Sequence, residues 1–191
     1  MKPKLLLHAC CGVCSAYVPE RLLPDFDVVV YFENSNLYPE AEFYRRRDAA
    51  LTMAQGFDLP FITADYASAD WFGAVRGLTQ ELERGARCEK CIAFRLDRTM
   101  AYAKKNGFGC IATTLSVSRR KNVDQINRLG HDLAGRHGLE FLGRDWKKEN
   151  GELLSQQRAK QAGIYRQDYC GCIYSIVSRQ ARPHPPSDRS T

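Results

Sequence analysis

The sequence predicts a doubly wound α/β domain on a single, mostly parallel sheet. Three observations point there: five short apolar runs of strand length, helical patterns with recognisable ends between them, and 191 residues of which 44% are hydrophobic, enough for one substantial core. The runs are Lys4 to Leu7, Val28 to Phe32, Phe61 to Thr63, Cys110 to Thr113 and Leu139 to Leu142. Pro39 opens the first long helix at a favoured first-turn position, and the pattern continues to about Gln55, with Gly56 as its stop. A second helix runs from about Glu89 to Asn106 and is closed by Gly107. In a third, Val123, Ile126, Leu129 and Leu133 share one face as core residues, with Asn122 as N-cap and Gly138 as stop.

Strands alternating with helices imply right-handed crossovers and a sheet covered on both faces. Ligands of such sheets sit beyond the carboxyl ends of the strands, where Cys10-Cys11 and Thr113-Thr114 would emerge. The domain is expected to span residues 1–178. Residues 179–191, rich in Pro, Ser and Arg and including His184, read as a disordered basic tail.

Lys and Arg outnumber Asp and Glu, 28 to 22, and the excess is clumped at Arg45-Arg46-Arg47, Arg119-Arg120-Lys121 and Lys147-Lys148. Clumped cations either form a solvated face or meet a polyanion, and three clumps favour RNA or DNA. Leu5-Leu6-Leu7 is too short for a secretory core, and no run approaches the ~20 apolar residues that cross a bilayer. The expectation is a cytoplasmic protein with no membrane partner.

Eight cysteines in a reducing compartment point to metal or redox chemistry rather than a disulfide framework. Cys88-x-x-Cys91 falls at a helix start, where both thiols share a face and the dipole favours the thiolate that metals bind, with Arg87 as a positive neighbour. Cys10-Cys11-Gly12-Val13-Cys14 offers three more sulfurs at the tip of the first strand, where Gly12 would let the backbone turn tightly around a bulky ligand. These residues suit one cluster or two neighbouring metals. A structural zinc on Cys11, Cys14, Cys88 and Cys91 is the alternative, in an RNA-binding module without redox activity, but it leaves Cys10, Cys170 and Cys172 unexplained. In Cys170-Gly171-Cys172, a disulfide would close a tight ring of the reducible, catalytic kind; the same two thiolates could instead complete a metal site. Cys110 reads as a core residue, His131 and His137 as surface residues, and His8 as a donor behind the metal ligands.

Together, Leu5-Leu6-Leu7-His8-Ala9-Cys10-Cys11, Arg87-Cys88-x-x-Cys91 with Phe94-Arg95-Leu96, Thr113-Thr114-Leu115, Asp145-Trp146-Lys147, and Tyr165-Arg166-Gln167-Asp168-Tyr169-Cys170-Gly171-Cys172 resemble the QueH family of epoxyqueuosine reductases, from residue 4 to about 176. The resemblance implies a HUP-like domain and an enzyme that removes the epoxide oxygen of epoxyqueuosine at the wobble position of tRNA, a two-electron step fed by an electron donor the sequence does not identify. It implies a 4Fe-4S cluster on Cys10, Cys11, Cys88 and Cys91, with Cys170 and Cys172 as a redox-active pair. A second view of the family adds a lone iron beside the cluster, held by part of the set Cys10, Cys11, Cys14, Cys88, Cys91, Cys170 and Cys172. Three positions depart from the pattern: Val13 where Pro is expected, Cys14 where either Cys or Asp occurs, and Arg119-Arg120 in place of Pro-Tyr.

Opening an epoxide needs an acid at the leaving oxygen and two electrons at carbon, whereas a single cluster supplies electrons one at a time. A neighbouring metal acting as Lewis acid on the oxygen would stabilise the developing alkoxide, while the Cys170/Cys172 dithiol would hold the second reducing equivalent. Asp145 and Tyr165 are the candidate catalytic side chains, and Lys147, Arg166, Gln167, Tyr169, Arg119 and Arg120 the candidate substrate-binding ones.

Overall fold

The computed structural model describes residues 1–180. Five parallel strands, β1 (Lys4–His8), β2 (Asp27–Phe32), β3 (Phe61–Thr63), β4 (Cys110–Thr113) and β5 (Glu140–Phe141), lie in the order β3-β2-β1-β4-β5. The chain winds outward from β1 to β3 and then returns to the other side of β1. The strand order therefore reverses between β1 and β4, which opens the ligand crevice of doubly wound sheets at that point. In register, Leu6 lies opposite Val29 of β2 and Ile111 of β4.

Both faces are covered, as parallel sheets require. On one face Leu6, Tyr31 and Ile111 pack with Ile92, Leu96 and Met100 of α5 (Ala86–Lys105) and Ile126 and Leu133 of α6 (Val123–His137). On the other, Leu5, Leu7, Val28 and Ala112 meet Cys14 of α1 (Gly12–Ser15), Val18 and Leu22 of α2 (Val18–Leu22) and Trp146. Helix α3 (Glu40–Gln55) packs Phe43, Ala50 and Ala54 against Val30 and Phe32. This two-sided burial explains why Leu5-Leu6-Leu7 is uniformly apolar rather than alternating.

The expected strands and long helices are present, with α5 starting three residues earlier, at Ala86 behind the extended Gly85. Asn122 caps α6 through its side chain, and Gly138 ends it in the left-handed conformation. Helices α1, α2, α4 (Ser68–Ala74), α7 (Gly151–Gln161) and α8 (Ile173–Gln180) were not legible. In α7 the buried positions are Gly151, Ser155 and Ala159, a helical stripe made of small residues rather than apolar ones. Helix α8 passes the expected boundary at residue 178, and the rest of the expected tail, residues 181–191, lies outside the described residues. Among the described residues no helix is long and apolar enough to cross a membrane.

Candidate metal and substrate site

The chain leaves β1 at His8 and turns straight into α1, which brings Cys10, Cys11 and Cys14 together. Their sulfurs all lie within 4.8 Å of one another, and those of Cys10 and Cys11 are 3.9 Å apart. Cys11 is the N-cap of α1, its Sγ accepting the amide of Cys14 at 3.4 Å. Cys10 is tied to the neighbouring strand: its amide donates to Thr114 Oγ1 at 3.0 Å, and the Thr114 hydroxyl donates back to its sulfur at 3.2 Å. The first sulfurs thus sit at the β1/β4 switch point because both strands end there.

Gly12 has a different task from the one its sequence suggests. A Cβ there would stand 2.8 Å from the backbone and Cβ of Ala49, so glycine allows α1 to lie directly on α3 rather than to wrap a ligand. Within the triad, thiol hydrogen bonds from Cys10 and Cys14 hold Cys11 well below the ordinary thiol value, helped by the Cys14 amide and the Gln167 side chain. The same bond to Cys11 raises Cys10 to about 11, and Cys14 rises as well. Protein groups alone therefore concentrate thiolate character on Cys11.

Behind the triad lies a buried polar frame. His8 bonds Thr113 Oγ1 through Nδ1 at 2.8 Å and the Glu33 carbonyl through Nε2 at 2.9 Å. Burial, and then the charge of Arg95, lower it to about 3, so the ring is neutral and donates from Nε2 to the carbonyl. Both nitrogens are thereby occupied in bracing β1 against β2 and β4. Arg95 is itself buried, donating to the Glu33 carbonyl at 3.3 Å and to Asn34 Oδ1. Its charge favours the thiolate forms of Cys10, Cys91 and Cys170 alike.

The second group of sulfurs comes from α5 and the chain before α8. Cys88 and Cys91 lie in the first turns of α5, outside the triad's 4.8 Å set. The Cys88 sulfur accepts the Arg84 amide at 3.2 Å. Cys91 packs against the cluster of Trp71, Val75 and Cys172, and burial pushes its thiol up to about 11. The helix end was expected to lower this thiol, whereas burial is the largest influence on it and raises it. Arg87, the expected positive neighbour, is bound to main chain rather than to a sulfur. Its guanidinium donates to the carbonyls of Leu78, Thr79 and Glu81 and lies 4.5 Å over the Tyr174 ring, closing the loop that leads into α5.

The cation beside the thiols is Lys121, which donates to Cys170 Sγ at 3.1 Å. Burial works to raise Cys170, but the Lys121 charge and hydrogen bond override it and bring the thiol below its ordinary value. Lys121 is in turn kept protonated by Cys170, with smaller contributions from Cys91 and Cys88. Cys172 is raised by burial, and all eight cysteines are free thiols.

Side chains from α3 hold the Cys170 loop in place. Arg46 donates to the Cys170 and Tyr169 carbonyls, each at 3.1 Å, while its Nε donates to Glu42 at 2.6 Å and its plane lies 4.9 Å from the Tyr169 ring centre. The Tyr38 amide donates to the Gly171 carbonyl at 2.8 Å, and Tyr169 Oη returns a bond of 2.8 Å to the Tyr38 carbonyl. Gly171 has φ of 121°, and a Cβ there would come within 2.3 Å of Leu37 and 2.8 Å of Arg46, so the residue between the two cysteines has to be glycine.

These groups border a cavity of about 530 Å³, lined by the triad together with Cys170, Lys121 and Arg95. Of the expected substrate residues, Arg119, Arg120, Arg166, Gln167 and Tyr169 line it. Lys147 stands behind that wall, its Nζ 3.7 Å from Asp145 and 3.5 Å from the Lys121 carbonyl. Asp145 and Tyr165 do not line the cavity: Asp145 accepts the Lys147 amide, and Tyr165 Oη donates to the Glu42 carboxylate at 3.0 Å. Lys121, Arg95 and Arg46 were passed over in the sequence, because two of them lie in clumps that read as surface charge. Arg95, four residues after Cys91 on the same helix face, carried a usable signal.

Thiolates, inward cations and a nucleoside-sized cavity at the switch point of a parallel sheet define an α/β protein of the metal- or redox-dependent kind. The chain belongs to the epoxyqueuosine reductase QueH family, whose model matches residues 5–178. Epoxyqueuosine reductase QueH of Haemophilus influenzae is 38% identical over 175 residues, 91% of this chain and 71% of that protein. The Thermotoga maritima protein of the same name is 33% identical over 184 residues and 93% of each chain. The fold is shared with U34-tRNA thiolase NcsA from Methanococcus maripaludis with its [4Fe-4S] cluster, at a TM-score of 0.56 and 13% identity over 92% of this chain and 62% of that one. It is shared too with a predicted tRNA methyltransferase subunit from Methanocaldococcus jannaschii, at a TM-score of 0.52 and 11% identity over 80% of this chain and 76% of that one.

Proposed function

We propose that this chain is an epoxyqueuosine reductase that acts on tRNA in the cytoplasm. The observation that carries the reading is the opening of two cysteine groups, Cys10/Cys11/Cys14 and Cys170 with Lys121, onto one cavity. The donor set suits iron. Soft thiolates select iron–sulfur centres, and Cys10, Cys11 and Cys14 bring three sulfurs within 4.8 Å of one another.

A cluster held by Cys10 and Cys11, with Cys88 and Cys91 as further ligands, would supply electrons one at a time, and Cys14 is available for an adjacent iron. The balanced change is the breaking of both epoxide C–O bonds by two electrons and two protons, giving the alkene and water. The residues of the chain bind and enclose. Arg119, Arg120 and Arg166 face the cavity as phosphate partners, and a cavity of this size takes one nucleoside turned out of its loop. Lys121 holds Cys170 in its more anionic form, suited to a thiol that passes on a reducing equivalent. A structural zinc on Cys11, Cys14, Cys88 and Cys91 in a module without redox activity is disfavoured, because the relatives are named as reductases and such a site leaves Cys10 beside it without a task.

Anaerobic purification with iron, zinc and sulfide analysis tests the centre, and nucleoside mass spectrometry of epoxyqueuosine-containing tRNA incubated with the protein and dithionite tests the reaction. Iron with sulfide and the loss of one oxygen from the nucleoside are expected. Zinc alone, or unchanged nucleoside, overturns the reading.

A further inference from the structure

Three residues that line the cavity each carry a buried polar atom with no hydrogen-bond partner among the described residues: Asn36 Oδ1, Ser155 Oγ and Gln167 Oε1. Folded proteins rarely leave such atoms unpaired, and those that do occur ask for an explanation. Asn36 is the most telling of the three. Only 3% of it is exposed, and it lies in the turn after β2, where the Leu37 amide donates to the Asn34 carbonyl and Tyr66 Oη donates to the Leu37 carbonyl at 2.6 Å. Its polar neighbours have internal tasks: Asn34 bonds the Ala9 carbonyl and Arg95, and Ser35 bonds Glu33. The Asn36 oxygen has none.

The polarity of these atoms narrows the ligand. Carboxamide oxygens only accept, so whatever completes Asn36 and Gln167 has to bring N–H or O–H donors. The Ser155 hydroxyl can donate or accept and sets no polarity. Among nucleobases, a guanine-type Watson–Crick edge carries a ring N–H and an amino group on adjacent atoms, the richest run of donors available. Base-modifying enzymes read an extruded base by that edge.

We propose that Asn36, with Gln167 as its companion, is a specificity-determining residue that accepts N–H groups from the Watson–Crick edge of a guanine-type base turned into the cavity. The proposal rests on the reading of the site as a tRNA-modifying centre and adds how it selects its nucleoside. A purely structural role for Asn36 would affect all RNAs equally, whereas a reader discriminates among bases.

The test uses the purified holoprotein and three anticodon stem-loop RNAs identical except at the wobble position, which carries guanosine, inosine (no amino group) or 2-aminopurine (no ring N–H). Wild type is expected to bind the guanosine RNA about tenfold more tightly than either analogue, and Asn36→Ala to lose about tenfold on guanosine alone, so that its three affinities converge. Equal wild-type affinities, or a variant that still discriminates, overturn the proposal. Should Asn36→Ala fail to fold, the wild-type series decides by itself. A wild type that discriminates the three bases but does not deoxygenate its tRNA would leave the base reader standing and remove the reductase.

Discussion

Cys10, Cys11 and Cys14 stand on backbone that two adjacent strands and a packed helix hold from several sides, whereas Cys170 and Cys172 stand on a loop held by side chains reaching from α3 and by one lysine. In the first region position follows from topology: β1 ends, β4 ends beside it, Thr114 bonds Cys10, and Gly12 seats α1 on Ala49. In the second it follows from specific polar contacts, with Arg46 on two carbonyls, Tyr38 on a third and Lys121 on the sulfur. A centre fixed by a sheet keeps its geometry through a reaction, while a loop fixed by a few hydrogen bonds can shift as its thiol changes state. This contrast suits the triad to lasting ligation and Cys170 to exchange.

Removing a ligand from the rigid region breaks the comparison most severely. Cys11→Ala takes away the sulfur on which thiolate character concentrates, and activity should fall more than about a hundredfold together with iron content. Full activity with normal iron would show that the triad does not hold the metal. Gly12→Ala comes next. Its methyl group would meet backbone, which cannot swing aside, so the variant should lose about 1–3 kcal/mol of stability in chemical denaturation. An unchanged midpoint would mean that α1 is less firmly seated than its contacts with α3 indicate.

The same division governs what could be read from the sequence. All five strands and three long helices were legible, because two-sided burial writes continuous apolar runs such as Leu5-Leu6-Leu7 and because caps such as Asn122 and Gly138 mark helix ends. The three sulfurs at the tip of β1 were legible as candidate ligands, but not that they lie together, since adjacent cysteines on an extended chain point apart and only the turn into α1 gathers them. What was missed depends on direction rather than identity. Arg46 and Lys121 look like their solvated neighbours in Arg45-Arg46-Arg47 and Arg119-Arg120-Lys121, yet both turn inward. Asn36 carried no signal at all, because an unpaired amide oxygen is a property of the folded cavity and of nothing local. Tyr165 and Asp145 differ the other way, standing off the cavity lining with their polar ends engaged by Glu42 and the Lys147 amide.

For the loop region the sharper test is Arg46→Lys. Lysine keeps a charge for Glu42 but lacks the planar fork that spans the Tyr169 and Cys170 carbonyls. Turnover should fall about tenfold with KM for tRNA changed less than about twofold, the pattern of a misplaced reacting group rather than of weakened binding. Hydrogen exchange should quicken in the peptide around Gly171 and stay unchanged in β1. If exchange rose equally in both, Arg46 would be supporting the whole fold, and the two regions would not be held independently.

The smallest effect concerns the frame between the regions. Glu33 is fully buried, and its carbonyl serves both His8 and Arg95. Burial raises its carboxyl above the ordinary range, against the lowering effects of Ser35 and Arg98. A carboxyl raised on folding contributes stability that is complete at low pH and is lost as pH climbs from its unfolded value through its folded one. Wild type should therefore lose stability relative to Glu33→Gln as pH rises from the ordinary carboxylate range towards neutrality, by less than about 1.4 kcal/mol per pH unit. Because the substitution leaves the main-chain carbonyl in place, iron binding and turnover should stay near wild type. A flat difference across that range would place Arg98 ahead of burial at Glu33, and the frame behind the triad would then be held chiefly by an ion pair.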